Sequence, residues 1–580
     1  MRRTKIVATI GPACDQPAAI RRLIEAGMDV ARINLSHGSP ADHRAHVQAV
    51  KAAREDVGRP VAIMLDTQGP EVRVGAFPDG PVQLRPGQRF LLWRDNRPGN
   101  AEGVGVSWPG LVDTTEVGQV LLLDDGNLSL RCIERTPDAL VTEVEVGGPL
   151  STRKKISCPG SHWPLAPLSP VDEEAILMGL EEEVDYLAVS FVRTAEDVIQ
   201  VRRFMEQQGA TPLPIIAKIE SALAVENLEA IVTVSDGLMV ARGDLGVELP
   251  VEEVPWLQKR IIRLANQAGL PVITATQMLE SMISRPRPTR AEASDVANAI
   301  WDGTDAVMLS AETASGQYPV EAVEMMAHLA DQADQRTQPH CQERGWASSQ
   351  ISDAVSRASA EAADELGASA ILTATHSGYT ATMVSRCRPA VPVVALSAFP
   401  AVLRKLALYW GVMPVFMEPR DNTDDMMAEA VNTAMRHGFV KPGDRVVFTA
   451  GVPVGRPGTT NMMRVETIAE PFLRGQGIGG RTASGQVWVV LDADKAGLAP
   501  DAPYVLVVRR TDAAYVPLME HAAAVVVEQG GLTSHAAVVG LTLGIPTVVG
   551  VEGATDRLRS GDLITVDSNR GLVFLGRPNV

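Results

Sequence analysis

No stretch of the chain approaches the roughly 20 consecutive apolar residues that cross a bilayer. Its start, Met1-Arg-Arg-Thr-Lys-Ile-Val, enters a strand-like segment directly, with neither an apolar h-region nor a cleavage site. Both absences argue against a membrane or exported protein, and a cytoplasmic one is expected. Cysteine is sparse. Cys14, Cys132, Cys158, Cys341 and Cys387 are odd in number and scattered, with no Cys-x-x-Cys pair, which argues against disulfides and structural zinc. Positive charge is also short: 53 Lys and Arg face 70 Asp and Glu, a net charge of −17. Such a chain repels nucleic acid and anionic membranes, so an anionic substrate must be held by local cations, for which Arg32, Arg73 and Lys218 are available. What is present is bulk: 580 residues with 45% hydrophobic content support several domains with substantial cores.

Eight apolar runs recur along the first half: Lys5-Ile-Val-Ala-Thr-Ile, Val30-Ala-Arg-Ile-Asn-Leu-Ser, Val61-Ala-Ile-Met-Leu-Asp-Thr, Tyr186-Leu-Ala-Val-Ser-Phe-Val, Ile215-Ile-Ala-Lys-Ile-Glu, Gly237-Leu-Met-Val-Ala-Arg, Val272-Ile-Thr-Ala-Thr-Gln and Ala306-Val-Met-Leu-Ser. Most precede a segment of helical periodicity that ends near a glycine, such as Val254 to Gly269 or Ala195 to Gly209. The pattern predicts a (βα)8 barrel, in which chemistry sits at the carboxyl ends of the strands. Polar residues collect at those ends: Arg32, Asn34, Ser36 and His37 after the second strand, Asp66 and Thr67 after the third, Lys218 and Glu220 at the fifth, Asp244 after the sixth, Thr276 at the seventh, and Ser310 and Glu312 at the eighth. Lys218 and Glu220 are two residues apart on a strand, so an ammonium and a carboxylate leave the same face of an otherwise buried element. A desolvated charge costs several kcal/mol unless compensated, so this pair marks a polar site. For Ser310, Glu312 and His37, a capping or hydrogen-bonding role is equally open.

From about Glu71 to Pro167 the pattern changes to short alternating runs separated by Gly and Pro turns, which predicts a β-rich insertion in a barrel loop. It leaves and re-enters at the mouth, bracketed by Gly69, Pro70, Pro164 and Pro167, and is placed to act as a lid. Within it, Asp124-Asp125-Gly126 reads as a turn. Arg153-Lys154-Lys155 is either a solvated face or a polyphosphate contact. After about Gln335 a second α/β region alternates strands Ala370-Ile-Leu-Thr-Ala-Thr, Val391-Pro-Val-Val-Ala-Leu and Arg445-Val-Val-Phe-Thr-Ala with helices. The segment Thr375-His-Ser-Gly-Tyr-Thr runs from a strand into a helix, so Ser377, Gly378 and Thr380 form either a phosphate cradle or a helix cap. The expected boundaries are a barrel over 1–70 and 168–335, a lid over 71–167, an α/β domain over 336–471 and a further domain over 472–580.

The segments Lys5-Ile-Val-Ala-Thr-Ile-Gly-Pro, Ala31-Arg-Ile-Asn-Leu-Ser-His-Gly, Leu65-Asp-Thr-Gln-Gly-Pro-Glu-Val-Arg, Ile216-Ala-Lys-Ile-Glu, Met239-Val-Ala-Arg-Gly-Asp-Leu-Gly-Val-Glu, Ile273-Thr-Ala-Thr-Gln-Met-Leu-Glu-Ser-Met and Arg287-Pro-Thr-Arg-Ala-Glu-Ala-Ser-Asp-Val-Ala-Asn-Ala closely resemble the pyruvate kinase family. The resemblance runs to about residue 470. It implies phosphoryl transfer from phosphoenolpyruvate to ADP, giving pyruvate and ATP. It makes Glu220 and Asp244 ligands of Mg²⁺ or Mn²⁺, and Asn34, Ser36, Asp66 and Thr67 a K⁺ site. Arg32 and Lys218 match groups that neutralise the transferring phosphoryl, Gly243 and Asp244 line the substrate, and Thr276 lies near the enolate carbon. Arg73, Asn34, His37 and Lys154 match the nucleotide side. The resemblance further implies a homotetramer activated by a phosphorylated metabolite.

Independent chemistry agrees. Phosphoryl transfer requires alignment and charge neutralisation more than nucleophiles. Hard oxygen ligands suit Mg²⁺, and the mouth lacks the His and Cys cluster that zinc prefers. Three positions depart from the family pattern: Gln68 replaces a lysine, Val74 stands where potassium-dependent members often have threonine, and Ala311 replaces a glycine. Thr67 and Glu71 nevertheless resemble the potassium-dependent type, so K⁺ activation is expected.

The last ~110 residues, with Gly530-Gly-Leu-Thr-Ser-His-Ala-Ala-Val-Val-Gly and Gly544-Ile-Pro-Thr-Val-Val-Gly, resemble the swivelling phosphohistidine domain of phosphoenolpyruvate-utilising enzymes. His535 matches the phosphorylated histidine. No Gly-rich ATP-binding domain accompanies it and direct transfer needs no carrier, so a structural or interfacial role is expected. Two rivals remain: a metal-dependent carbon–carbon lyase acting on pyruvate enolate, which gives the lid no task, and a phosphocarrier dependent on His535 alone.

Overall fold

The computed structural model describes residues 1–576 except His162, 337–349, Asp421, 453–459 and Asp501. Cys341 lies outside the described residues; Cys14, Cys132, Cys158 and Cys387 are buried. The chain divides into two compact units, the first of Met1–Asp364, Thr373–Pro419 and Thr449–Met463, the second of Glu365–Leu372, Arg420–Phe448 and the chain from Arg464 onward.

In the first unit, β1 (Lys5–Ile10), β2 (Val30–Asn34), β3 (Ala62–Asp66), β4 (Tyr186–Val189), β5 (Ile215–Ile219), β6 (Gly237–Ala241), β7 (Val272–Ala275) and β8 (Ala306–Leu309) close a parallel barrel in chain order. The predicted barrel is therefore observed, and its cause is visible in the side-chain period. Val7, Val30, Met64, Ile216, Met239 and Ile273 fill one cluster, whereas their strand neighbours Ile6, Ala31, Ile63, Leu65, Ala217 and Leu238 belong to another that includes helix residues. Alternation by two thus divides every strand between interior and helical shell. Helices Pro40–Val57, Pro170–Glu181, Ala195–Gln207 and Arg290–Trp301 each begin with a capping box, from Ser39, Ser169, Thr194 and Thr289 respectively.

The insertion folds as a seven-stranded sheet and a two-stranded one, with a core around Phe90, Leu92, Leu121, Leu130 and Ile156. Asp124 and Asp125 have φ of 53° and 54°, in the turn between strands Val120–Leu123 and Leu128–Arg135, as the sequence suggests. The insertion leaves the barrel past Gly69, whose φ is +74° and where an added Cβ would lie 2.9 Å from both the Phe191 ring and Ser190 Cβ. Only glycine meets both demands at this departure point.

At the opposite, amino ends of the strands, the α/β region is tied to the barrel. Lys5 Nζ donates to the Val412 carbonyl at 2.6 Å, Arg404 Nε to Asp185 at 2.7 Å, and Arg388 pairs with Asp305 at 3.0 Å. Strands Val393–Ser397 and Val412–Phe416 pair in parallel there.

In the second unit an eight-stranded mixed sheet has parallel central strands Thr482–Val489, Tyr504–Val508, Ala524–Val527 and Thr547–Val549, with an apolar cluster around Val505, Val507 and Val526 and another around Leu506, Val508 and Val525. Among the described residues, no helix is long and apolar enough to cross a membrane.

Candidate active site

The carboxyl end of β5 sets the site. Lys218 Nζ lies 2.9 Å from Asp66 Oδ1, 3.0 Å from Glu220 Oε1 and 2.7 Å from Ser190 Oγ. Asp66, at the end of β3, accepts Arg32 Nε from β2 at 2.5 Å on its other oxygen. Arg32 Nη1 donates to Thr9 Oγ1 of β1 at 2.9 Å. One carboxylate therefore orients both cations, and five barrel elements contribute to a single network. All of Arg32, Asp66, Lys218 and Glu220 are buried.

Burial and charge compete at each group. Desolvation alone would lower the Lys218 pKa, but the Asp66 and Glu220 carboxylates reverse this and hold it above the usual value. Lys218 is accordingly an ammonium. Burial would raise the pKa of Asp66, yet Arg32 and Lys218 pull it below the ordinary range. Glu220 goes the other way: burial and the Asp244 charge outweigh the Lys218 attraction and raise it. Its Oε2 accepts the Phe191 N–H at 2.7 Å.

Asp244 lies in the first turn of the helix Arg242–Glu248 that follows β6, and its Oδ1 is 2.6 Å from Lys155 Nζ, which the insertion delivers. Asp244 and Glu220 are thus oxygen donors at a place where a cation already stands. Among the described residues no group of three or more His, Cys, Asp or Glu side chains is disposed to hold a metal. A pair of carboxylates suits an ion that completes its shell with water and substrate oxygens.

Other candidates are less concentrated. Asn34 Oδ1 accepts the Ser36 N–H at 3.2 Å, while Thr67 receives Ser190 N–H on its hydroxyl at 3.0 Å and Ser190 Oγ on its carbonyl at 2.6 Å. Among Asn34, Ser36, Asp66 and Thr67 only Asp66 carries a formal charge, and its two oxygens are engaged by Arg32 and Lys218. Thr276 (φ +68°) accepts the Gly243 N–H at 2.8 Å on its hydroxyl. Arg73 donates through Nε to Glu71 at 2.8 Å and through Nη1 to the Arg153 carbonyl at 2.9 Å, and Lys154 pairs with Asp124 at 2.5 Å. His37 is exposed, and its carbonyl is engaged by His43 Nε2 at 2.7 Å. Glu312 is buried and binds the N–H groups of Ser310 at 2.7 Å and Leu279 at 3.2 Å, which is a bracing role between the ends of β8 and β7.

Away from the mouth, Gly378 N–H donates to Thr375 Oγ1 at 2.9 Å, and the buried Thr380 hydroxyl meets Thr460 at 2.9 Å, while Ser377 is exposed. Two groups of the possible phosphate cradle are therefore internally bonded.

Sequence reasoning did not single out Thr9, Ser190 or Phe191, and left Lys155 within an ambiguous basic trio. Thr9 and Ser190 follow the same strand-end rule as the others, applied to β1 and β4.

Residues 1–323 match the family model for the pyruvate kinase barrel domain, residues 353–466 that for the pyruvate kinase alpha/beta domain, and residues 500–571 that for the mobile domain of PEP-utilising enzymes. The chain belongs to the pyruvate kinase family. It is similar over the full length of both chains to proteins named pyruvate kinase from Geobacillus stearothermophilus, at 46% identity, and from Bacillus licheniformis, at 45%. The pyruvate kinase of Staphylococcus aureus (strain MRSA252) is 41% identical, again over all of both chains. The chain is thus a phosphotransferase of the pyruvate kinase family that carries an additional PEP-utilising-type mobile domain, as the motifs imply.

Proposed function

We propose that the barrel mouth transfers the phosphoryl group of phosphoenolpyruvate directly to ADP, and that the residues gathered around Lys218 perform the transfer. The observation that carries this reading is the single network in which Asp66 holds both Arg32 and Lys218 while Glu220 stands 3.0 Å from the same ammonium.

Arg32 and Lys218 hold the phosphoryl oxygens and neutralise charge as the bond to the enolate oxygen lengthens. Because Asp66, Thr9 and Ser190 fix both cations in advance, little reorganisation is needed at the moment of transfer. Glu220 and Asp244 would hold Mg²⁺ or Mn²⁺, which supplies a chelating positive charge to substrate oxygens. Thr276, with Gly243 bonded to its hydroxyl, lines the enolate side and positions the proton that completes pyruvate. Arg73, Asn34, His37 and Lys154 face the nucleotide, and the insertion excludes water on closing. Asn34, Ser36, Asp66 and Thr67 would hold K⁺, whose charge complements the phosphates. Ser377, Gly378 and Thr380 remain the proposed seat of a phosphorylated effector, within a homotetramer.

The decisive experiment is phosphoenolpyruvate-dependent ATP formation with Mg²⁺, with and without K⁺, comparing wild type with Lys218→Met. The variant should lose about 10²-fold or more in kcat. A folded Lys218→Met protein with wild-type turnover removes the clamp from the mechanism.

A further inference from the structure

Lys155 is the first residue of the insertion strand Lys155–Ser157, which pairs with Val72–Arg73 on one side and Leu122–Leu123 on the other. Its backbone is consequently held by the lid sheet while its side chain crosses to the barrel. There Nζ lies 2.6 Å from Asp244 Oδ1 and 4.3 Å from the centre of the Phe191 ring. Phe191 donates its backbone N–H to Glu220, so the ring beneath the ammonium is fixed by the second proposed metal ligand. Lys155 is 15% exposed and Asp244 31%, so the contact is substantially desolvated. It is a specific seat for a cation, built from a carboxylate and an aromatic face.

The charges at the mouth give this contact a role. Asp66, Glu220 and Asp244 face Arg32, Lys218 and Lys155 in direct contacts, and Glu71 and Glu248 also act on Lys155. A divalent ion entering alone would add two positive charges next to the Lys155 ammonium, which stands on one of its own ligands. Phosphoenolpyruvate, an anion, offsets that excess. We propose that Lys155 is an internal counter-cation of the metal site: it occupies Asp244 until the divalent ion displaces it, so that metal affinity, substrate binding and release of the lid from the barrel are coupled through one salt bridge. The proposal rests on Glu220 and Asp244 being the metal ligands, as inferred above.

Lys155→Met and Lys155→Gln keep the length or polarity of the side chain and remove its charge. Mn²⁺ binding to the full chain, read from the electron paramagnetic resonance of free Mn²⁺, should be about tenfold tighter in both variants without substrate, the size expected of a partly solvated charge pair. Lys155→Arg should bind Mn²⁺ as wild type does. The factor by which phosphoenolpyruvate tightens Mn²⁺ binding should shrink in the two neutral variants, because substrate no longer has a third cation to offset. Glu220→Gln provides the control, since its Mn²⁺ binding should weaken about tenfold or more. Unchanged or weaker Mn²⁺ binding in both neutral variants, together with weakened binding in Glu220→Gln, overturns the counter-cation role alone. Wild-type binding in Glu220→Gln overturns the ligand assignment itself.

Discussion

The hydroxyl of Thr276 accepts a 2.8 Å hydrogen bond from the backbone N–H of Gly243 and lies 2.6 Å from the carbonyl of Ala275. A β-branched residue with φ of +68° is held in a region its side chain disfavours, at a cost on the order of 1–3 kcal/mol. Arg242 contributes to that restraint by donating to the Thr276 carbonyl at 2.6 Å. The barrel therefore maintains a strained backbone where the proposed enolate-facing hydroxyl is displayed.

Thr276→Ala should lower kcat about 10- to 100-fold, in the range of a lost proton-transfer group, while changing the melting temperature little, because relief of crowding offsets the lost bond. Thr276→Ser keeps the hydroxyl and should retain most of the rate. The informative comparison is ATP formation against exchange of the pyruvate methyl protons with solvent: a Thr276→Ala enzyme that exchanges at the wild-type rate places the proton path elsewhere.

Lys5 gives the protein an alkaline stability window. Burial lowers its pKa from 10.5 to about 8, against the attraction of Asp29. The folded state thus binds fewer protons than the unfolded state between those values, so stability rises with pH across them. Below pH 8 the cost of burying the ammonium is constant, at most about 3 kcal/mol, and above 10.5 it is gone. Lys5→Met has no such proton to release. The denaturant midpoint of wild type should therefore climb relative to that of the variant between pH 8 and about 10. A pH-independent gap between the two means that Lys5 titrates normally in the folded chain.

Much of this was legible in the sequence because the relevant rules are local. Period-two burial, capping boxes such as Ser39 with Asp42, and polar residues at strand ends give the barrel and its mouth without tertiary knowledge. Lys218 and Glu220 were readable together because their spacing alone places them on one face. Lys155 was not, since its partner Asp244 is 89 residues away and lies on another element. No periodicity encodes which lid residue meets which strand end. Glu312 was ambiguous for a related reason: its two partners, Ser310 and Leu279, are backbone groups, and a sequence does not show which N–H groups lack a strand neighbour. Ser190 is different, as it closes β4 in plain view and only its 2.7 Å contact to Lys218 makes it significant.

His535 tests whether the terminal domain takes part in chemistry. It begins the helix His535–Leu543, and its Nδ1 lies 3.0 Å from the Thr511 hydroxyl. A helix start favours an added anion, so a phosphoryl group on the ring would be tolerated electrostatically. Tolerance is not participation, because the transfer proposed at the barrel mouth runs in line to ADP and needs no covalent relay. His535→Ala should therefore keep kcat and KM within about twofold, with a stability change of no more than roughly 0.5 kcal/mol for an exposed polar contact. Incubation of wild type with phosphoenolpyruvate labelled at phosphorus should leave no acid-labile phosphate on the protein. Label that appears in wild type and disappears in His535→Ala makes the residue a carrier, and if ATP formation falls in parallel, the mobile domain becomes an obligatory step rather than an appendage.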